Sequence, residues 1–176
     1  LALVQVLHVT LRLRPLGLDD EKEAHDAHAE LQAEAFAFLL DWEPDLPWSA
    51  YLEKLNDTRR GLEIPPGYVP ATFLVADVDR AVVGRVSIRH ELNEFLARDG
   101  GHIGYAVRPR YRRRGYATEI LRQALIVARA EGVERVLVTC DRDNAASVKI
   151  IERLGGVLED VRQGHDGIPK RRYWID

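Results

Sequence analysis

Five arginines fall within seven residues: Arg108, Arg110, Arg112, Arg113 and Arg114. They sit inside HIGYAVRPRYRRRGYATEILRQAL, where an apolar run from His102 to Val107 gives way to a cationic turn and then to apolar residues at helical spacing from Gly115 on. The first turn of a helix leaves backbone N–H groups without partners, and its dipole places roughly half a positive charge there. Such an end binds phosphate. Gly115 leaves room for an anion against the backbone, Tyr116 and Ala117 open the helix, and Thr118 adds a hydroxyl. With Arg112, Arg113 and Arg114 supplying charge, a pyrophosphate fits the junction. No G-x-x-x-x-G-K-[ST] and no G-x-G-x-x-G following a strand occur, so a nucleoside triphosphate loop and a dinucleotide fold are disfavoured. An ordinary strand-to-helix turn with solvated arginines uses the same residues, and the cluster alone does not separate the two.

The elements that must position this junction are legible by pattern. Alternation from Gln5 to Arg14 predicts a strand, and Asp19-Asp20-Glu21 starts a helix expected to run to about Asp41. A second helix carries Tyr51, Leu52 and Leu55, and Gly61 to Pro70 is a Gly/Pro-rich loop. Thr72–Val78 and Ala81–Arg89 read as a hairpin turning at Asp79-Arg80. After the arginine turn come a helix from Gly115 to Glu131, a strand from Val133 to Thr139 and a helix from Ala145 to Leu154. Strands follow at Val157–Val161 and Arg171–Ile175. Hairpin strands first and alternating strands and helices second predict a mixed α/β fold in a single domain spanning residues 1–176.

The segment Arg112-x-x-Gly115-x-Ala117 resembles the acyl-CoA pyrophosphate loop of the GNAT superfamily of N-acetyltransferases, and DRDNAASVKIIERLGG resembles that superfamily's next motif. The chain as a whole, with ELNEFLARDGGHIGY and the closing RRYWI, is similar to a subgroup described as predicted acetyltransferases. The resemblance implies a mostly antiparallel sheet, flanked by helices and splayed between the strand before the loop and its parallel neighbour. It implies acetyl-CoA as cosubstrate, a primary amine as acceptor, direct transfer and no metal. Backbone groups of Tyr105, Ala106 and Val107 would meet the pantetheine arm, and Asn144 and Ser147 would face it from the next helix. Asn144 is equally a helix N-cap.

The acid and base are less plain. The family often places a Tyr seven residues after the Asn to protonate the thiolate; here that residue is Ile151, leaving Tyr173 as a substitute. Histone-acetylating members carry a Glu where this chain has Gly101, so Glu91 and His102 become the candidate bases, histidine because it titrates near neutrality. Cys140 lacks a His/Asp pattern around it and reads as a small apolar residue rather than a nucleophile. Asp41-Trp42-Glu43-Pro44-Asp45-Leu46-Pro47-Trp48 mixes carboxylates with indoles, which suits a small basic amine or, equally, a helix corner with inward tryptophans.

Composition narrows the class. The 176 residues are 46% hydrophobic and 30% charged, and the formal net charge is −3. Without the five clustered arginines that charge would be −8, a balance that suits a compact polyanion better than nucleic acid. One cysteine excludes an intrachain disulfide. No apolar run reaches the ~20 residues of a membrane span, and the apolar opening lacks the features of a signal peptide. The expectation is a cytoplasmic N-acetyltransferase acting on a small-molecule amine. It would have no nucleic-acid or membrane partner, and the resemblance implies that a homodimer would be ordinary. The same fold without turnover, a non-catalytic acyl-CoA-binding module, is the alternative.

Overall fold

A computed structural model describes residues 10–176. The first strand, β1, is short (Arg12–Arg14), and the part of the expected strand before Thr10 lies outside the described residues. Helix α1 (Glu21–Gln32) ends nine residues earlier than its apolar spacing predicts. Ala35 turns the backbone left-handed at φ 57°, and Phe36 N–H folds back onto Leu31 C=O. Phe38 and Leu39 are still buried, but from an irregular segment rather than a helix face. Helix α2 (Trp48–Arg60) stops at Gly61, a left-handed C-cap.

Strands β2 (Ala71–Val78) and β3 (Ala81–Arg89) form the expected hairpin, with Asp79 and Arg80 both at positive φ as a two-residue turn of this kind requires. Strand β4 (Ile103–Val107) follows a single wide helical turn, Leu96–Gly100. Helix α3 (Tyr116–Ala130) then leads to β5 (Val136–Asp141), α4 (Ala145–Arg153), β6 (Val157–Gln163) and β7 (Pro169–Ile175). Strand β5 begins three residues later than predicted, because Val133 N–H closes onto Ala128 C=O at the end of α3.

The strands form two antiparallel sheets, β1-β2-β3-β4 and β5-β7-β6. The larger sheet has a core on each face. One holds Val86, Ile88, Ile103 and Val107 against α3, together with Ile151 of α4; the other holds Phe73, Val75 and Val82 against α1 and α2. Between β4 and β5 there is no ladder. His102 N–H donates to Leu137 C=O at 2.7 Å, and Leu137 N–H donates to His102 Nδ1 at 2.9 Å. Three residues further along each strand, Tyr105 stands near Cys140. The strands therefore run in the same sense, joined at one end and unpaired beyond it. This is the expected splayed α/β architecture. Gly101 is part of the joint: at φ 62° it is left-handed, and a Cβ there would lie 2.6 Å from Leu137 O, so no glutamate fits.

Arg108 lies at the end of β4 and has no exposed surface. Its guanidinium meets Glu30 at 2.7 Å, Glu23 at 3.1 Å and Val82 C=O at 2.9 Å, pinning α1 to the sheet. It is an internal brace and not part of a cationic surface. Removing one partner of such a group strands the others, so Arg108→Leu should cost about 3 kcal/mol. Urea unfolding of this variant beside Glu30→Gln, which keeps the hydrogen-bonding shape, should show the larger loss in Arg108→Leu.

Candidate active site

The turn after β4 is built to expose amides. Arg113 (φ 64°) and Gly115 (φ 82°) are both left-handed, and nothing lies within 4 Å of where a Gly115 Cβ would stand. The first bond of α3 is Glu119 N–H to Gly115 C=O, which leaves the N–H groups of Tyr116, Ala117 and Thr118 without intrahelical partners. Successive amides in such a turn form an anion-binding concavity.

The arginines divide their labour. Arg112 forms a bidentate pair with Glu34 (2.6 and 3.0 Å), while its Nε donates to Val107 C=O, so its charge braces the loop against the segment after α1. Arg110 stacks over Tyr111 near Glu30. Arg113 and Arg114 are exposed, and Arg114 lies over the Tyr111 ring. The cationic patch is thus smaller than five adjacent arginines suggest.

Along β4 the direction of each amide follows from its ladder. Arg89 N–H donates to His102 C=O, and Arg108 N–H donates to Val83 C=O, so even-numbered residues face β3. Tyr105 and Val107 therefore turn their N–H groups toward the opening beside β5. Ala106 pairs with Arg85 instead, so its backbone is not among the free groups. The Tyr105 hydroxyl is buried beside Ser147, and burial raises its pKa. Asn144 caps α4 by accepting from Ser147 N–H at 3.1 Å. These polar groups surround the opening from both sides, and an extended chain with amide groups fits them.

The three catalytic candidates fare differently. His102 is buried at the sheet junction with its Nδ1 lone pair occupied by Leu137 N–H, so its other nitrogen carries the proton and no lone pair remains to accept one. Burial, then the charge of Arg89, pushes its pKa down to about 4. It is a strut between the sheets and not a base. Tyr173 has no exposed surface, and its hydroxyl donates to Glu152, five positions along α4 from Ser147. It is a core tyrosine rather than the substitute acid. Glu91 stands exposed beyond β3, next to His90. Cys140 is held as a thiol, its pKa raised to about 11 by burial.

The tryptophans turn inward. Trp48 is buried and donates to Gly17 C=O, and Trp42 packs on His25 and His28. The basic-amine hint from this segment therefore loses its aromatic half.

Sequence reasoning missed two features. A cavity of about 380 Å³ lies between α2 and the sheet, floored by Phe73, Ser87 and Arg89 and walled by Leu55, Tyr68 and Phe95. Ser87 pairs with Gly104, the neighbour of Tyr105, so the cavity reaches within one strand of the opening. In the β6–β7 turn, His165 Nδ1 lies 2.7 Å from Asp99 Oδ2, and its ring packs 5.2 Å from that of Phe95. Sixty-six residues separate this pair. Only the fold joins them, and no local pattern marks them.

A splayed pair of strands beside an amide-rich helix start is the architecture of an acyl-CoA-dependent transferase. The sequence matches the Acetyltransferase (GNAT) domain over residues 10–157, and the chain belongs to that family, as an acetyl-CoA-dependent acyltransferase. Among solved structures of the same fold is the putative acetyltransferase yncA from Salmonella typhimurium with its cofactor acetyl-CoA. It is 14% identical with a TM-score of 0.62, over 94% of this chain and 93% of that one. An acetyltransferase from the same organism that modifies the N-terminal serine of ribosomal protein L7/L12 is 19% identical, with a TM-score of 0.65 over 95% and 96%. Microcin C7 self-immunity acetyltransferase MccE, in complex with acetyl-CoA and AMP, is 17% identical, with a TM-score of 0.63 over 94% and 91%. No curated protein matches the sequence. Among the described residues no helix is long and apolar enough to cross a membrane, and no His, Cys, Asp and Glu cluster is arranged to hold a metal.

The His102 assignment has a measurable consequence. An unfolded imidazole takes up a proton as pH falls through about 6.5, whereas the folded one waits until about 4. Its contribution is present in full above pH 6.5 and lost on descent to 4, on the order of 3 kcal/mol. Denaturant unfolding at pH 7.0 and 4.5 should show this fall in the parent and a smaller one in His102→Gln.

Proposed function

We propose that the chain transfers the acetyl group of acetyl-CoA to the primary amine of a small molecule held in the cavity over Ser87 and Arg89. The observation that carries this is the open edge of β4. Its free N–H groups lie one strand from the cavity on one side, and the strand leads directly to the amide-rich start of α3. Acetyl-CoA supplies an activated thioester. The N–H groups of Tyr116, Ala117 and Thr118, with Arg113 and Arg114, would hold its pyrophosphate. The N–H of Tyr105 or Val107 would donate to the carbonyl oxygen as charge builds there, a fixed dipole that needs no reorientation.

Two proton transfers remain for the chain to manage. Ile151 has no proton to give, but the buried Tyr105 hydroxyl stands beside Ser147 at the opening. Burial keeps that phenol protonated and able to donate toward the departing sulfur, with Ser147 as its relay. On the acceptor side, His165 is the proposed base. Asp99 holds its Nδ1, which fixes the tautomer that leaves Nε2 free to accept a proton from the ammonium form of the substrate. Its ring packs on Phe95, which lines the cavity.

Thermal unfolding with acetyl-CoA, with ATP as the control anion, tests the first half. At about 100 times its dissociation constant, acetyl-CoA should add roughly 2.7 kcal/mol. ATP alone should add much less. For the second half, amine-dependent CoA release by His165→Gln should fall about 10²-fold, while acetyl-CoA binding stays unchanged. Tight acetyl-CoA binding with no release for any amine would favour the non-catalytic acyl-CoA-binding module instead, which Ile151 also suits.

A further inference from the structure

Arg89, which lines the cavity, and Arg85, which lies beside it on the same strand, have no carboxylate partner among the described residues. Arg85 and Arg89 lie on the same face of β3, turned toward α1 and α2. Arg85 is 3% exposed; its guanidinium reaches only the carbonyls of Gly104 and Ala37 and the faces of Phe36 and Phe73, and its Nε is unpartnered. Arg89 is half-buried, lines the cavity, and makes one long side-chain hydrogen bond, 3.3 Å to Gly100 C=O. Among the described residues neither arginine has a carboxylate within salt-bridge distance, whereas Arg14 pairs with Asp77 and Arg172 with Asp160. Burial pushes the pKa of both guanidinium groups down, and at Arg85 the charge of Arg89 adds to the effect.

Buried cations without counter-ions are unfavourable, and fixed arginine forks match carboxylates. Gly104 also accommodates Arg89: a Cβ there would stand 2.9 Å from Arg89 Nη1. The missing side chain lets the guanidinium lie over β4, one residue from Tyr105. The cavity's acidic residue, Asp41, is turned to the Tyr68 hydroxyl at 2.8 Å. The remaining wall is largely apolar, with Leu40, Leu55, Val69 and Leu96 beside Phe73 and Phe95.

We propose that Arg89 anchors a carboxylate of the acceptor, and that the acceptor class is an amino-acid-like molecule with a primary amine, a carboxylate and an apolar side chain. This rests on the acetyltransferase reading for the amine and on the cavity alone for the carboxylate. Arg89 holds the carboxylate, the apolar wall takes the side chain, and the amine is left above Ser87 and Gly104, facing the open edge of β4. Arg85 adds long-range attraction from beneath.

Three compounds that share one side chain separate the two parts: L-leucine, L-leucinamide and 3-methylbutylamine. Amine-dependent CoA release should favour L-leucine over both of the others by at least about tenfold in kcat/KM, the scale of a charge-assisted pair. In Arg89→Met that ratio should fall to about one, and Arg89→Lys should keep part of it. Calorimetric titration of the same compounds into the CoA-loaded protein reads the anchor without turnover. Leucine binding lost in Arg89→Met supports the anchor even if no amine is acetylated. Turnover without preference for the carboxylate overturns the anchor while the acetyltransferase reading stands, and absence of leucine binding in the unmodified protein overturns it too. Ligand-free Arg89→Met should unfold at the same temperature or higher, because an unpaired buried charge is removed; a clear drop would mark Arg89 as a structural brace and count against the proposal.

Discussion

The joint between His102 and Leu137 sets the geometry of everything else. Two hydrogen bonds, one through a backbone amide and one through an imidazole nitrogen, hold two separate sheets at one end. A continuous ladder between β4 and β5 would have satisfied every amide along β4. Ending the contact after a single residue pair leaves the N–H groups of Tyr105 and Val107 exposed to an opening, where only a ligand or water can meet them. The joint also fixes Gly101, whose left-handed backbone and close approach to Leu137 O leave no space for a side chain. An unpaired strand edge inside a protein is normally a liability. Here α3, α4 and the neighbouring sheet surround it, so it is available to a narrow extended molecule and closed to another strand.

Charge is partitioned around that opening by burial. Arg108 and Arg112 spend their charge on α1 and the segment after it, through Glu23, Glu30 and Glu34. Those pairs fasten the helical layer to the end of β4 and hold the turn before α3 in shape. The carboxylates of α1 thus act on the anion-binding turn indirectly, by fixing where its amides point. Arg85 and Arg89 differ because, among the described residues, no acidic side chain stands against them. In a chain with more acidic than basic residues, that omission is a property of the site and not of the composition.

The hairpin, the two later helices and the strand-turn-helix junction were legible because their signals are local: alternation, helical spacing, and glycine at a left-handed position. The premature end of α1 was not. Its apolar residues keep helical spacing through Leu39, but the chain turns at Ala35 and Phe38 packs with Phe73 of the sheet from outside the helix. The anion turn was readable as a motif, but the roles of its arginines were not, since pairing with Glu30 or Glu34 spans 78 residues. The same limit hid the cavity, whose walls come from α2, two strands and three loops, and whose residues are unremarkable one at a time.

The two histidines show how far side-chain chemistry depends on which atom is already engaged. Sequence reasoning favoured His102 because an imidazole beside the loop strand could titrate near neutrality. In the fold, a backbone amide points at its Nδ1 and burial opposes its charge, so its lone pair holds two sheets together. His165 reverses each condition. A carboxylate rather than an amide faces its Nδ1, its ring stands largely in solvent, and the neutral form keeps its free lone pair on Nε2. A donor at Nδ1 makes a structural strut, whereas an acceptor there leaves the other ring nitrogen its lone pair, the condition that the proposed base requires. The difference lies in the partner, and the partner of each ring comes from a distant segment: Leu137 in the first case, Asp99 in the second.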